Sequence, residues 1–167
     1  MELDGHGQIA HWKEANEQGY FIVNEVHYYP DVKREQIPIL LNQKYENIII
    51  DFGDEYRRFR EDLLHCDRKI FVMNLNPWQE FAAQEMVCAV AQKNWGGMKP
   101  IYAGVNIQHA EKKLIERNCH ITIMDIPPIP NPKCIGEEQF SFFDRILGRF
   151  AANRKRKRSL IPIFRRL

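Results

Sequence analysis

Lys69-Ile70-Phe71-Val72-Met73-Asn74-Leu75 is a nearly continuous apolar run, too short for a helix and without polar residues at alternate positions. Such runs suit strands covered on both faces, as in a parallel sheet, better than half-wetted antiparallel strands. Three other stretches read the same way: Tyr45-Glu46-Asn47-Ile48-Ile49-Ile50-Asp51-Phe52-Gly53, Pro100-Ile101-Tyr102-Ala103-Gly104-Val105-Asn106, and His120-Ile121-Thr122-Ile123-Met124-Asp125-Ile126. Helical patterns separate and follow them. Glu55 to Leu64 carries Phe59, Leu63 and Leu64 on one stripe. Pro77 to Asn94 opens with proline and carries Phe81, Met86, Val87, Val90 and Ala91. Gln108 to Arg117 carries Ala110, Leu114 and Ile115, and Gln139 to Ala152 carries Phe142, Phe143, Ile146, Leu147 and Phe150. Alternation of strand and helix predicts an α/β fold with a doubly wound, mostly parallel sheet over residues 1–152.

The first 45 residues have weaker periodicity. Gln8 to Gln18 reads as a helix ending at Gly19, and Tyr20 to Val26 as a strand. Asp31 to Asn42 reads as a helix in which Pro38 requires a break or a late start. Ile126-Pro127-Pro128-Ile129-Pro130-Asn131-Pro132 is an extended loop, since four prolines cannot sit in a helix interior.

At 167 residues the chain suits one domain with an appendage, and 44% apolar and 28% charged residues are ordinary for a globular protein. Roughly two-thirds of the surface is buried at this size, enough for a core. No run of about 18 apolar residues is present to cross a membrane. The start, Met1-Glu2-Leu3-Asp4-Gly5-His6-Gly7, has neither the basic nor the apolar region of a secretory signal. The net charge of +2 hides an asymmetry: nine of the 24 basic residues follow Asp144 and no acidic residue does. Residues 1–144 therefore carry 15 basic and 22 acidic residues, a charge of −7, so a mildly acidic body bears a basic tail at 153–167.

Cys66, Cys88, Cys119 and Cys134 form no C-x-x-C pair and have no local histidine pair, which argues against zinc. The expectation is buried, reduced thiols in a cytoplasmic protein. The six histidines are dispersed, and Trp12, Trp78 and Trp95 read as packing residues. Asp51 is the first residue with a chemical reading. A strand that ends in Asp presents a carboxylate at the carboxyl edge of a parallel sheet, where open α/β folds bind ligands. Such a carboxylate can hold a magnesium-bound water, and the glycine that follows allows a tight turn beside a phosphate. The alternative is an Asp that caps the strand end or the next helix. Asp51-Phe52-Gly53 also spells the metal-binding tripeptide of protein kinases, but the glycine-rich loop, strand lysine and H-R-D loop of that fold are absent. Glu2 to Gln8 is an acidic, glycine-rich turn, readable either as a ligand-approaching loop or as a flexible start before a helix.

Taken in order, these pieces resemble the ParA/MinD/CpaE-type branch of P-loop ATPases from their second strand onward, over roughly residues 1–150. Glu2-Leu3-Asp4-Gly5-His6-Gly7-Gln8 resembles the family's D-x-D-x-x-G-N switch turn, and Tyr45 to Gly53 its Y-D-x-I-I-I-D strand. Cys66 to Val72 resembles the next strand opening, Val105-Asn106 its V-x-N strand end, and Ile126-Pro127 the I-P that follows a later strand. The resemblance implies ATP and Mg2+ as cofactors. It implies that Asp4 positions the attacking water, Asp51 stands beside magnesium, Gly53 and Asp54 belong to the second switch, and Asn106 contacts the adenine. It also implies a nucleotide-dependent homodimer or a protein partner, in positioning, secretion or pilus-type assembly.

The departure concerns the phosphates. The family's first strand and phosphate loop should precede Met1, and nothing in the chain spells G-x-x-x-x-G-K-[ST]. Gly96-Gly97-Met98-Lys99 lies between a helix and a strand instead of the reverse, lacks the following Ser or Thr, and reads as a turn. Without backbone N–H groups and a lysine around the β- and γ-phosphates, most of the electrostatic stabilisation of phosphoryl transfer is missing. The chain as given is therefore expected not to bind or hydrolyse ATP efficiently. A missing inner strand would also leave sheet edges unpaired, so marginal stability or self-association is expected. Three explanations stand: a truncated product, a degenerate relative that works as a non-enzymatic interaction module, or another doubly wound domain. A receiver-like domain would need a strand-end lysine that the sequence lacks.

Arg154-Lys155-Arg156-Lys157-Arg158 precedes Ser159-Leu160-Ile161-Pro162-Ile163-Phe164-Arg165-Arg166-Leu167. A polybasic block beside apolar residues suits an anionic membrane surface, which would make the protein cytoplasmic and peripheral at the membrane's inner face. Nucleic acid is the second partner for such charge, and a solvated terminus is the remaining alternative.

Overall fold

The computed structural model describes residues 1–3, 7–54, 56–76, 78, 80–96, 99–131 and 135–154. They fall into two compact units that divide after Leu63, within one short helix.

The second unit is built on three parallel strands in the order β3-β4-β5: Ile70–Asn74, Ile101–Val105 and Ile123–Asp125. Helix α3 (Glu80–Ala91) joins the first two strands, α4 (His109–Cys119) joins the second and third, and α5 (Glu137–Arg154) follows. The register aligns Phe71, Tyr102 and Ile123, so these buried residues share one face. Trp95, just beyond α3, lies against Phe71 at 5.4 Å between ring centroids and donates its indole N–H to the Val90 carbonyl. Val72, Ala103 and Met124 align on the other face, where Phe142 and Ile146 of α5 pack on Ala103. Arg68 donates to the Ile146 carbonyl and ties α5 to the start of β3. Burial of Leu75, Val87, Val90 and Ile115 completes this core. The protein is therefore a mixed α/β protein with a three-stranded parallel sheet flanked by helices, as the apolar runs predicted. Each burial is worth roughly 1.5–3 kcal/mol, which outweighs the cost of closing two long crossovers.

The first unit departs more from expectation. Tyr20 to Val26 is not one strand. It is a hairpin of β1 (Phe21–Val23) and β2 (Val26–Tyr28), which reverses through Asn24 and Glu25, both at positive φ. Two left-handed residues twist the turn in the sense that antiparallel strands need. Gln8 to Gln18 forms turns instead of the expected helix. It has no long apolar stripe to bury, and the two turn bonds from the His11 N–H to the Gly7 carbonyl and from the Trp12 N–H to the Ile9 carbonyl cannot repay helix nucleation. Pro38 sets the late start that its chemistry requires: a 3-10 turn at Arg34–Gln36 leads into α1 (Ile37–Leu41), with Pro38 in its first turn. Helix α2 (Arg60–His65) is shorter than the predicted stretch from Glu55.

The Tyr45 to Gly53 run is the main correction. Only its end pairs, by a parallel bridge between Glu2 and Asp51. The Asp51 N–H donates to the Met1 carbonyl (2.8 Å) and the Leu3 N–H to the Asp51 carbonyl (2.9 Å). Residues 45–50 have no ladder partner among the described residues, and Ile49 is 80% exposed. A β-branched run extends readily, but becomes a strand only where a neighbour takes its backbone groups.

The cysteine expectation is corrected as well. Cys88 and Cys119 form a disulfide between α3 and α4. The two helices bring their Cα atoms to 5.2 Å, a proximity that a spacing of 31 residues does not reveal. Cys66 is a free, half-buried thiol, and Cys134 lies outside the described residues. Among the described residues no helix is long and apolar enough to cross a membrane.

Candidate functional site

The Asp51 turn is assembled from the bottom by the short parallel pairing. Bonds to Met1 and Leu3 fix the Asp51 backbone, and the chain then turns at Gly53, at φ +57. Asp51 Oδ1 accepts the Gly53 N–H at 2.9 Å. Phe52 is buried against Phe59, which anchors the turn and leaves Asp51, Gly53 and Asp54 at the surface. Asp51 thus caps its own turn through Oδ1, the second of the two readings given for it. Asp51 and Asp54 are the carboxylates here that could hold a hydrated divalent ion. Among the described residues no group of three or more His, Cys, Asp or Glu side chains converges on one point. Asp4, the predicted water-positioning residue, lies outside the described residues. Beside it in sequence, Glu2 is buried and its carboxylate accepts the Ile9 N–H at 3.2–3.3 Å.

Asn106 belongs to the second unit, at the carboxyl edge of the parallel sheet. It follows β4 with φ +54, a conformation that asparagine tolerates better than most residues. Its Nδ2 donates to Asn74 Oδ1 at 3.0 Å, which joins the ends of two neighbouring strands. Asn74 Oδ1 also accepts the Asn76 N–H, and Asn76 Oδ1 accepts the Trp78 N–H at 3.1 Å. Asp125, at the end of β5, pairs with Lys112 of α4. A row of amide side chains therefore closes the β3 and β4 ends. Trp78, expected to pack, is instead 95% exposed beside this row. A side-chain amide at such an edge offers a donor and an acceptor to a heterocycle's edge. Gly104 lies close behind it: a Cβ there would stand 2.9 Å from Leu75 Cδ1, so the Leu75 side chain would have to shift.

Asp51, Gly53 and Asp54 thus share one turn in the first unit, and Asn106 is in the second. The sequence reading missed a third set. The Tyr29 hydroxyl meets the Tyr45 hydroxyl at 2.7 Å, and the latter meets His27 Nδ1 at 2.9 Å. Burial first, then the bond to Tyr45, pushes the Tyr29 phenol well above its usual range, so it stays protonated. The available signal was alternation: Tyr20 and His27 fall on one face of the hairpin, Phe21 and Tyr28 on the other. A single strand over Tyr20 to Val26 hides it, because His27 and Tyr29 then lie beyond the strand's end.

No family model matches the sequence, and no curated protein and no solved structure matches it at a significant level. What is shown is the class: a mixed α/β protein with a three-stranded parallel sheet between helices.

Proposed function

We propose that these 167 residues carry the magnesium and adenine sides of a ParA/MinD/CpaE-like nucleotide switch, without the phosphate cradle. The observation that supports this reading most is the parallel pairing of residues 1–3 with the end of the Tyr45 to Asp51 run. It presents the Asp51 carboxylate at the bridged end of that run, two residues before Gly53 in the turn. Asn106, at a second strand end, is compatible with an adenine contact. In this reading Asp51 holds a magnesium-bound water, Gly53 and Asp54 form the adjoining switch, and Asp4 aligns the attacking water. ATP and Mg2+ are the cofactors of the complete site, and a second copy or a protein partner is the switch's counterpart. Because the chain supplies no lysine and no glycine-rich loop around the phosphates, it does not hydrolyse ATP efficiently as given.

Two titrations test the proposal. The chain itself should bind Mg-ATP no tighter than about 1 mM, since contacts to base and ribose leave little free energy after the cost of association. A fusion that places a strand, a G-K-G-G-x-G-K-[ST] loop and a helix ahead of Met1 should bind Mg-ATP at micromolar concentration, and Asp51→Ala should abolish its magnesium dependence. A folded fusion that does not bind, or micromolar binding by the unfused chain, overturns the reading.

A second reading, a non-enzymatic module anchored through its tail, draws on the position of α5. This helix packs on the sheet and runs to Arg154, from which the polybasic block continues in sequence. Residues 155–167 lie outside the described residues. Anionic lipid is the favoured partner of that block, and nucleic acid the other. Liposomes containing anionic lipid should float the whole chain and not one ending at Asn153. Equal flotation of the two removes this reading.

A further inference from the structure

The hairpin β1–β2 has two chemically different faces. Phe21 and Tyr28 pair across one of them and pack with Trp12. Tyr20 and His27 lie on the other, together with Tyr29, one residue past β2. The Tyr20 ring stacks on the His27 imidazole at 4.9 Å and 10°. It lies 5.2 Å from the Tyr29 ring at 41°. Tyr45 adds a ring 6.4 Å from Tyr29 and inclined to it by 76°. These four half-buried rings border a cavity of about 510 Å³, with Leu40 among the apolar residues that line it. That volume suits a small molecule.

Its chemistry is selective. The Tyr29 and Tyr45 hydroxyls and His27 Nδ1 are bonded in a chain, which fixes the three rings. His27 covers one face of the Tyr20 ring, so what the rings then offer is chiefly their remaining faces, which carry negative charge density. Asp31 is the one charged side chain among the lining residues, and no lysine or arginine is among them. Among the described residues Asp31 has no ion-pair partner. A carboxylate repels anions, and a neutral guest has apolar contact and the lining amides of Gln18, Gln36 and Gln43 but gains nothing from the charge. A substituted ammonium gains from both the rings and the carboxylate, and a fully methylated one has no N–H whose hydrogen bonds to water must be replaced.

We propose that this cavity binds a substituted ammonium cation, held by the faces of Tyr20, Tyr29 and Tyr45 with Asp31 as its counter-charge. The site shares no residue with the Asp51 turn or with Asn106, so it stands or falls independently of the nucleotide reading.

The test uses the full chain, with choline as the probe and 3,3-dimethylbutan-1-ol as its neutral isostere of the same shape. Calorimetry at low salt should show choline binding at least about tenfold tighter than the isostere, the difference expected for a cation held against aromatic faces. Tyr20→Leu should weaken choline about tenfold, whereas Tyr20→Phe, which keeps the ring, should stay within about threefold. Asp31→Asn should weaken it by about threefold or more, with the fold preserved, because asparagine tolerates the φ of +50 at this position. Equal binding of choline and its isostere overturns the proposal, as does no choline binding at about 10 mM. Unchanged affinity in Asp31→Asn removes the counter-charge. The isostere comparison needs no variant, so the outcome does not depend on whether Tyr20→Leu folds.

Discussion

Breaking the Cys88–Cys119 disulfide tests how the second unit is held together. The bond closes a loop of 31 residues that contains the end of α3, all of β4 and α4. In the chain-entropy treatment a closed loop of that length removes about 12 cal/mol/K from the unfolded ensemble, or about 3.7 kcal/mol at 25 °C. A partly compact unfolded state lowers the benefit, so the expected loss is about 2–4 kcal/mol. The neighbouring side chains decide whether the unit survives. Val87 and Val90 on α3 and Ile115 on α4 are fully buried, while both cysteines are half-buried, so the core persists without the bond. Cys88→Ser and Cys119→Ser should each lower the urea midpoint by roughly 1–4 M for a slope of about 1–2 kcal/mol/M. Dithiothreitol should do the same to the unmodified chain and nothing further to either variant. Coincident unfolding curves for the oxidised and reduced chain would refute the reasoning, as would alkylation of both thiols under non-reducing conditions.

Two further outcomes follow from the backbone and from burial. Glu25 sits at φ +65 in the second position of the hairpin turn, so Glu25→Gly should stabilise the protein by about 1 kcal/mol in chemical denaturation; a loss of stability would mean that the turn does not hold this conformation. Burial raises the Tyr102 phenol above its ordinary value of 10.0. The unfolded chain therefore releases this proton first: stability is fully present below about pH 10 and is lost as pH rises through the folded value. Tyr102→Phe should flatten that alkaline fall, and an unchanged pH profile would exclude Tyr102 as its source.

The three strands of the parallel sheet could be read directly from the chain. Ile70 to Asn74, Ile101 to Val105 and Ile123 to Asp125 are each short, apolar and flanked by helical patterns. Local composition suffices there because β4, buried on both faces, leaves a continuous apolar signature that β3 shares although it exposes Ile70 and Val72, and amphipathic helices between such runs force parallel crossovers. The turn chemistry of Pro38 and of Gly53 after Asp51 was equally local, since both act through their own φ. Other features depended on partners distant in sequence. Tyr45 to Ile50 has the composition of a strand and no strand to pair with, while Asp51 finds Glu2, 49 positions away. Cys88 and Cys119 look like isolated thiols until α3 and α4 lie side by side. The Tyr20, His27, Tyr29 and Tyr45 cluster exists because a two-residue turn folds one strand onto the next and a later loop delivers the last ring. Periodicity reports which side of an element is buried; pairing, cross-linking and the closing of a cavity are long-range events, and tertiary structure alone decided them.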